Sequence, residues 1–249
     1  MSDFRIRPAG DAALVVEFGD AIDRRHSELV VALAEQIRSE RVRGVIETTP
    51  TFRSLFVSFD PDEIGHDELA QEIAAIFDRK TRLTPRKRRW QVPACYDPDL
   101  APDLEDAANK AGLTVRQFAG RHSSIVFYVY MLGFLPGQPY LGDLPDDLVM
   151  PRLASPRPRV EAGSIGIAMR MTCIFPRPTP CGLRIIARTP ISLFDPEHPD
   201  RRVIEPGDEV VFQPIDRRDF EQAAAFGGGI GVPPHLLEGV KDARFGRPA

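Results

Sequence analysis

HSSIVFYVYML, His122 to Leu132, reads as a strand-like run, and it leads directly into GFLPGQPYLG, Gly133 to Gly142. That junction constrains the fold more than any other stretch. Its prolines remove backbone donors, and its glycines admit backbone shapes that other residues resist. A regular strand must stop there, and an ordered, kinked loop carrying Phe134 and Tyr140 takes its place. Such a loop is either a rigid turn packing its aromatics into the core or a binding surface. The chain has 24 prolines, dense from Pro136 to Pro190 and separated by apolar runs, which suggests loop-rich β structure there and not disorder.

The 249 residues are enough for one large or two ordinary domains, and 43% hydrophobic with 27% charged content fits a globular core. A net charge of -4 and a pI of about 5.8 give no global basic field for nucleic acid. The N-terminal MSDFRIRPAGD lacks a signal-peptide layout, and no run approaches the length of a membrane span. Cys95, Cys173 and Cys181 are odd in number and lack CxxC spacing. No metal site and no disulfide framework are expected, and the expected compartment is the cytoplasm.

Alternation of Leu14, Val16 and Phe18 predicts a strand over Ala12 to Phe18. Leu29, Leu33 and Ile37 predict a helix from Asp23 to Ser39, and Leu69, Ile73, Ile76 and Phe77 a second from Asp67 to Arg79. Strands are expected at Val45 to Thr48, Leu55 to Phe59 and Arg89 to Pro93. This β-α-β-β-α-β order is the ferredoxin-like pattern, assigned to residues 1–85. The link Arg79 to Arg89 is a run of positive charge, either a solvated linker or an anion patch. Residues 86–225 should form a β barrel or sandwich, with strands at Ile125–Leu132, Ser164–Met169, Leu183–Ala187, Ile191–Phe194 and Val210–Pro214. Helices are expected at Asp103–Ala111, from the Thr114/Gln117 capping box to about Gly120, and from Asp216 to Ala225. Residues 226–249 read as a tail.

The segments HSSIVFYVYMLGFLPGQPYLGDLP, MPRLASPRPRVEAGSIGIA, TPCGLRIIARTPISLFDP and EPGDEVVFQPI, in that order, resemble the family of KipI and the B-type subunit of 5-oxoprolinase. The family is also called allophanate hydrolase subunit 1, or carboxyltransferase domain subdomains C and D. GDAALVVEFG and GVIETTPTFRSLFVSFDP agree with its N-terminal half. The resemblance implies an α+β chain, with a ferredoxin-like N-terminal domain followed by a cyclophilin-like β-barrel. It implies a carboxyltransferase-like partner (KipA, or the C-type 5-oxoprolinase subunit) and a third 5-oxoprolinase subunit. Together these open 5-oxoproline to glutamate with ATP. Two other roles occur in the family: inhibition of a sensor histidine kinase, and carboxyl transfer in urea carboxylase with a biotinylated partner. Fold alone does not choose among them. Three positions depart from the family pattern: Gln138 in the loop, Cys173 in MTCIFP and Cys181 in TPCGL.

His122 titrates near neutral pH and can exchange a proton with a bound amide or carboxyl group; it can equally fix backbone at a strand start. Tyr140 can donate a hydrogen bond from the loop. Arg170 is placed after a strand ending near the loop, where a guanidinium suits a carboxylate such as that of 5-oxoproline; for it, Arg159 and Arg188 a surface salt bridge is the alternative. His122, Tyr140 and Arg170 are the candidate catalytic residues. Phe134, Pro136, Gln138, Arg159, Thr172 and Arg188 are the candidate substrate contacts. Tyr128 and Tyr130 share one strand face, where packing is expected for at least one. Cys173 and Cys181 read as buried structural thiols, and His26, His66, His198 and His235 as surface residues. No GxxxxGK[ST] phosphate loop occurs, so no ATP site is placed on this chain, and ATP is expected through the complex.

Overall fold

Leu14, Val16 and Phe18 alternate with Val15 and Glu17, so one face of their strand must find cover. Two amphipathic helices supply it. The computed structural model describes residues 4–79, 88–195, 197 and 204–225. The chain divides into two compact units, Met1–Arg86 and Lys87–Ala249.

In the first unit the elements are β1 (Phe4–Pro8), β2 (Ala13–Phe18), α1 (Arg24–Glu40), β3 (Val45–Pro50), β4 (Ser54–Phe59) and α2 (His66–Asp78). The antiparallel sheet runs β1-β2-β4-β3. Asp23 caps α1 by accepting from the His26 amide at 2.8 Å, and Arg41 ends it with φ +51°. Val30, Leu33 and Ile37 of α1 and Leu69, Ile73 and Phe77 of α2 share one cluster with the buried residues of β2 and β4. Both helices therefore cover the same sheet face. The sheet is completed by β1, not by the segment Arg89–Pro93. The signal for β1 is weak, because only Phe4 and Ile6 alternate with Arg5 and Arg7 on an edge strand.

The second unit contains β5 (Arg89–Cys95), α3 (Leu104–Lys110), α4 (Val115–Ser123), β6 (Phe127–Leu132), β7 (Pro139–Gly142), β8 (Arg157–Val160), β9 (Ser164–Ala168), β10 (Met171–Ile174), β11 (Thr179–Cys181), β12 (Arg184–Arg188), β13 (Glu209–Ile215) and α5 (Arg217–Ala225). Seven strands close a barrel in the order β10-β7-β6-β13-β5-β12-β9, while β8 and β11 form a separate two-stranded sheet. Trp90, Val92 and Ala94 of β5 belong to the barrel core, which explains why this strand joins the second unit. The Thr114/Gln117 capping box forms as expected, but α4 continues past Gly120 to Ser123. Asp216 accepts from the Asp219 amide at 2.8 Å, as a cap of α5 should. The segment Ile191–Phe194, expected as a strand, pairs with none among the described residues. The tail 226–249 and most of the basic link lie outside the described residues. No described helix is long and apolar enough to cross a membrane.

The barrel is closed by the parallel pairing of β5 with β13. One carboxylate, that of Asp208, organises this seam, and the residue has 0% exposure. Arg88 donates from Nε and Nη2 to its two oxygens at 2.9 and 2.7 Å. Trp90 Nε1 donates at 2.8 Å and the Glu205 amide at 2.9 Å. Removing the carboxylate orphans the indole and amide donors and breaks a bidentate ion pair. Asp208→Ala should therefore lower unfolding free energy by roughly 3 kcal/mol or more in urea denaturation. A loss below about 1 kcal/mol would contradict this role.

Candidate functional site

Strand register fixes which loops share a barrel end. Leu132 pairs with Pro139, Ile174 with Ile165, and Arg188 with Ser164. The 133–138 loop, the turn at Gly163 and the segment after Arg188 therefore lie at one end. The loop is tied by Gly133 N to Gln138 O and by Gln138 N to Leu135 O, both at 3.1 Å. Gly137 has φ +76°, and a Cβ there would meet Leu193 O at 2.9 Å, so a side chain is excluded twice over. Phe134, at φ +69°, is 69% exposed, and Pro136 is exposed too. Phe134 is thus not packed into the core.

Met171 pairs with Ala168, which puts the Met169–Arg170 turn at the opposite barrel end. Arg170 is exposed and bonded to Asp146. It does not lie near the loop, because the strand before it runs away from that end. Arg159 is likewise exposed and paired with Glu161 at 2.8 Å. Arg188 is half-buried: its Nε donates to Ala162 O at 2.8 Å, and its guanidinium lies 5.8 Å from the Phe220 ring centre. Burial pulls its pKa below the ordinary value, with Glu161 opposing that shift.

His122 lies in the last turn of α4, not at the start of a strand, and is 0% exposed. Its ring stacks on Phe212 at 5.0 Å. Nδ1 lies 2.8 Å from the Tyr96 hydroxyl, and Nε2 lies 3.3 Å from Thr172 Oγ1. Either neutral tautomer satisfies both contacts, with one nitrogen donating and the other accepting. Burial pushes the imidazole pKa down to about 3 and the Tyr96 phenol well above its usual value. Thr172 joins this group, also fully buried. The cluster fixes α4 to β10 from within the core. Tyr96 escapes a reading of the sequence, since nothing around it marks a partner 26 residues away.

Gln138 and Tyr140 come together on the outer barrel flank. Tyr140 faces Cys173 across the β7–β10 ladder, and Cys173 packs with Cys181, Val160, Phe175 and Ile185. The cover over this flank, the β8–β11 sheet, is held by Asp103. Its carboxylate takes both Nη atoms of Arg157 at 2.6 Å and the Ile185 amide at 2.7 Å. All three cysteines are free and buried, as expected of Cys173 and Cys181. Burial raises the Tyr140 phenol pKa, opposed by the field of Arg152 and a hydrogen bond from Gln138. Arg152, which sequence reading did not single out, sits against Gly182: a Cβ there would meet its Nε and Nη2 at 3.1 Å. Its only local signal is the Pro-Arg-Leu context. Among the described residues no three His, Cys, Asp or Glu side chains converge as metal ligands.

The buried histidine carries a pH consequence. The unfolded chain takes the proton near pH 6.5 and the folded chain only near 3. Stability is therefore full above about 6.5 and is lost as pH falls toward 3, by up to roughly 5 kcal/mol. His122→Gln should flatten the acid limb of a stability-versus-pH curve by about 1.4 kcal/mol per pH unit in that window. Curves that stay parallel would contradict the neutral buried imidazole.

Comparison with known proteins agrees with this architecture. The family model "Carboxyltransferase domain, subdomain C and D" matches residues 4–204. The chain is 34% identical to the B-type 5-oxoprolinase subunit of Bacillus subtilis (strain 168), over 87% of this chain and 95% of that protein. It is 34% identical to the corresponding 5-oxoprolinase subunit of Escherichia coli O157:H7, over 82% and 93% of the two. The solved structure of TTHA0988 superposes with a TM-score of 0.74 at 26% identity, covering 85% of this chain but only 40% of that one. The chain belongs to the carboxyltransferase subdomain C and D family, with B-type 5-oxoprolinase subunits among its relatives.

Proposed function

We propose that this chain is the B-type subunit of a cytoplasmic, ATP-dependent 5-oxoprolinase complex. With a carboxyltransferase-like subunit and a third subunit, it opens the lactam of 5-oxoproline to glutamate. The observation that carries this reading is the extent of the similarity, which spans 95% of the Bacillus subtilis relative's length at 34% identity. A match confined to one motif would support only the fold. ATP is consumed by the complex.

The flank around Gln138 and Tyr140 is the surface where the substrate would sit. Burial keeps the Tyr140 phenol protonated at neutral pH, so it suits hydrogen bonding to a lactam carbonyl better than proton abstraction. His122 and Thr172 act from inside the barrel, holding the strand next to Tyr140. Phe134 and Pro136, exposed on the loop, are available to the partner subunit.

Purification of this chain from its native cells, with assay of the eluate for 5-oxoproline-dependent ATP hydrolysis, tests the proposal. A carboxyltransferase-like subunit should co-purify, with activity in the complex and none in this polypeptide alone. Full activity from the lone chain would contradict the subunit role. A sensor kinase in place of that subunit, or a complex inactive on 5-oxoproline, would contradict the substrate assignment.

A further inference from the structure

Arg152 is exposed, and among the described residues its guanidinium has no hydrogen-bond or ion-pair partner. Yet the backbone on both sides of it is pinned. Pro151 O accepts from buried Arg184, and Leu153 N donates to Gly182 O at 2.8 Å. The fold holds the base of this side chain and leaves its charged end open to solvent. Gly182 provides the room, because any Cβ there would lie 3.1 Å from Nε and Nη2. No positive φ demands a glycine at 182, and a Cβ there would press the guanidinium out of its present position by a few tenths of an ångström.

A second, independent feature lies beside it. Gln138 is 2% exposed, and its Oε1 is buried with no hydrogen-bond partner. Leaving such a carbonyl unsatisfied costs about 1–3 kcal/mol. Gly182, against which Arg152 lies, follows Cys181, and Cys181 packs in the cluster that Tyr140 covers, while Gln138 hydrogen-bonds Tyr140, so the three side chains belong to one patch. An unpaired guanidinium fork suits a carboxylate, and an unpaired amide oxygen suits an N–H.

We infer that Arg152 and Gln138 form the recognition site for the carboxylate and the lactam N–H of the substrate, with Gly182 as the positioning residue for Arg152. This rests on the 5-oxoproline reading above. It replaces Arg170 and Arg159, both of which already hold acidic partners. The ligand class is a small cyclic amide bearing a carboxylate. An amide without the carboxylate would lose the guanidinium contact.

The test uses the complete complex, with ATP hydrolysis followed against 5-oxoproline concentration. Arg152→Ala should raise KM for 5-oxoproline about tenfold or more, as loss of a charge-assisted pair requires. Arg152→Lys should recover part of the loss, because it keeps the charge but not the fork. Gly182→Ala should raise KM by a smaller factor, and thermal unfolding should show all three variants folded. Wild-type activity with an unchanged KM in Arg152→Ala would overturn the inference and leave the 5-oxoproline reading standing. A wild-type complex inactive on 5-oxoproline would overturn both.

Discussion

The Asp208 carboxylate is the constraint on which the second unit depends. It is fully buried, and it gathers Arg88, Trp90 and Glu205 at the point where β5 and β13 begin their parallel run. Parallel neighbours cannot be joined by a tight turn, so this seam must be assembled across a long stretch of chain. Arg88 and Asp208 are 120 residues apart, and every other barrel strand lies between them in sequence. The ion pair is bidentate, which fixes direction as well as distance.

The barrel then separates two kinds of polar group. Inside, His122, Tyr96 and Thr172 satisfy one another, and burial holds the imidazole neutral. Such a cluster specifies how α4 meets the strands. Outside, Arg152 and Gln138 are held in place and left incomplete. The exposed guanidinium is hydrated in the free protein, and the proposed carboxylate and N–H contacts would complete both groups. Asp103 clamps Arg157 and Ile185, which seats the β8–β11 cover over the flank.

Much of this fold is legible in the sequence because its signals are local. The Thr114/Gln117 box predicts the start of α4, and the alternation of Leu14, Val16 and Phe18 predicts β2. Where the outcome depends on distant partners, sequence reading errs. Trp90, Val92 and Ala94 mark a buried strand but not which of two cores buries it. Arg88 reads as part of a solvated basic run, yet it carries the barrel seam. Ending α4 near Gly120 falls three residues short, which moves His122 from a helix interior to a strand start. Arg170 ranks high because the strand before it reads as ending near the loop, but the direction of β9 takes it to the far end. Gln138 and Tyr140 do come together; Arg152 escapes notice because its character arises only from Gly182 and the pinned backbone beside it.

The central claim is that the flank, and not the barrel end carrying Arg170, meets the substrate. The most direct measurement is an NMR titration of the assembled complex, with arginine side chains of this subunit labelled, against 5-oxoproline. The account predicts a saturable shift of the Arg152 Nε–H resonance, with Arg170 and Arg159 unmoved. A saturable shift at Arg170 with none at Arg152 would contradict it.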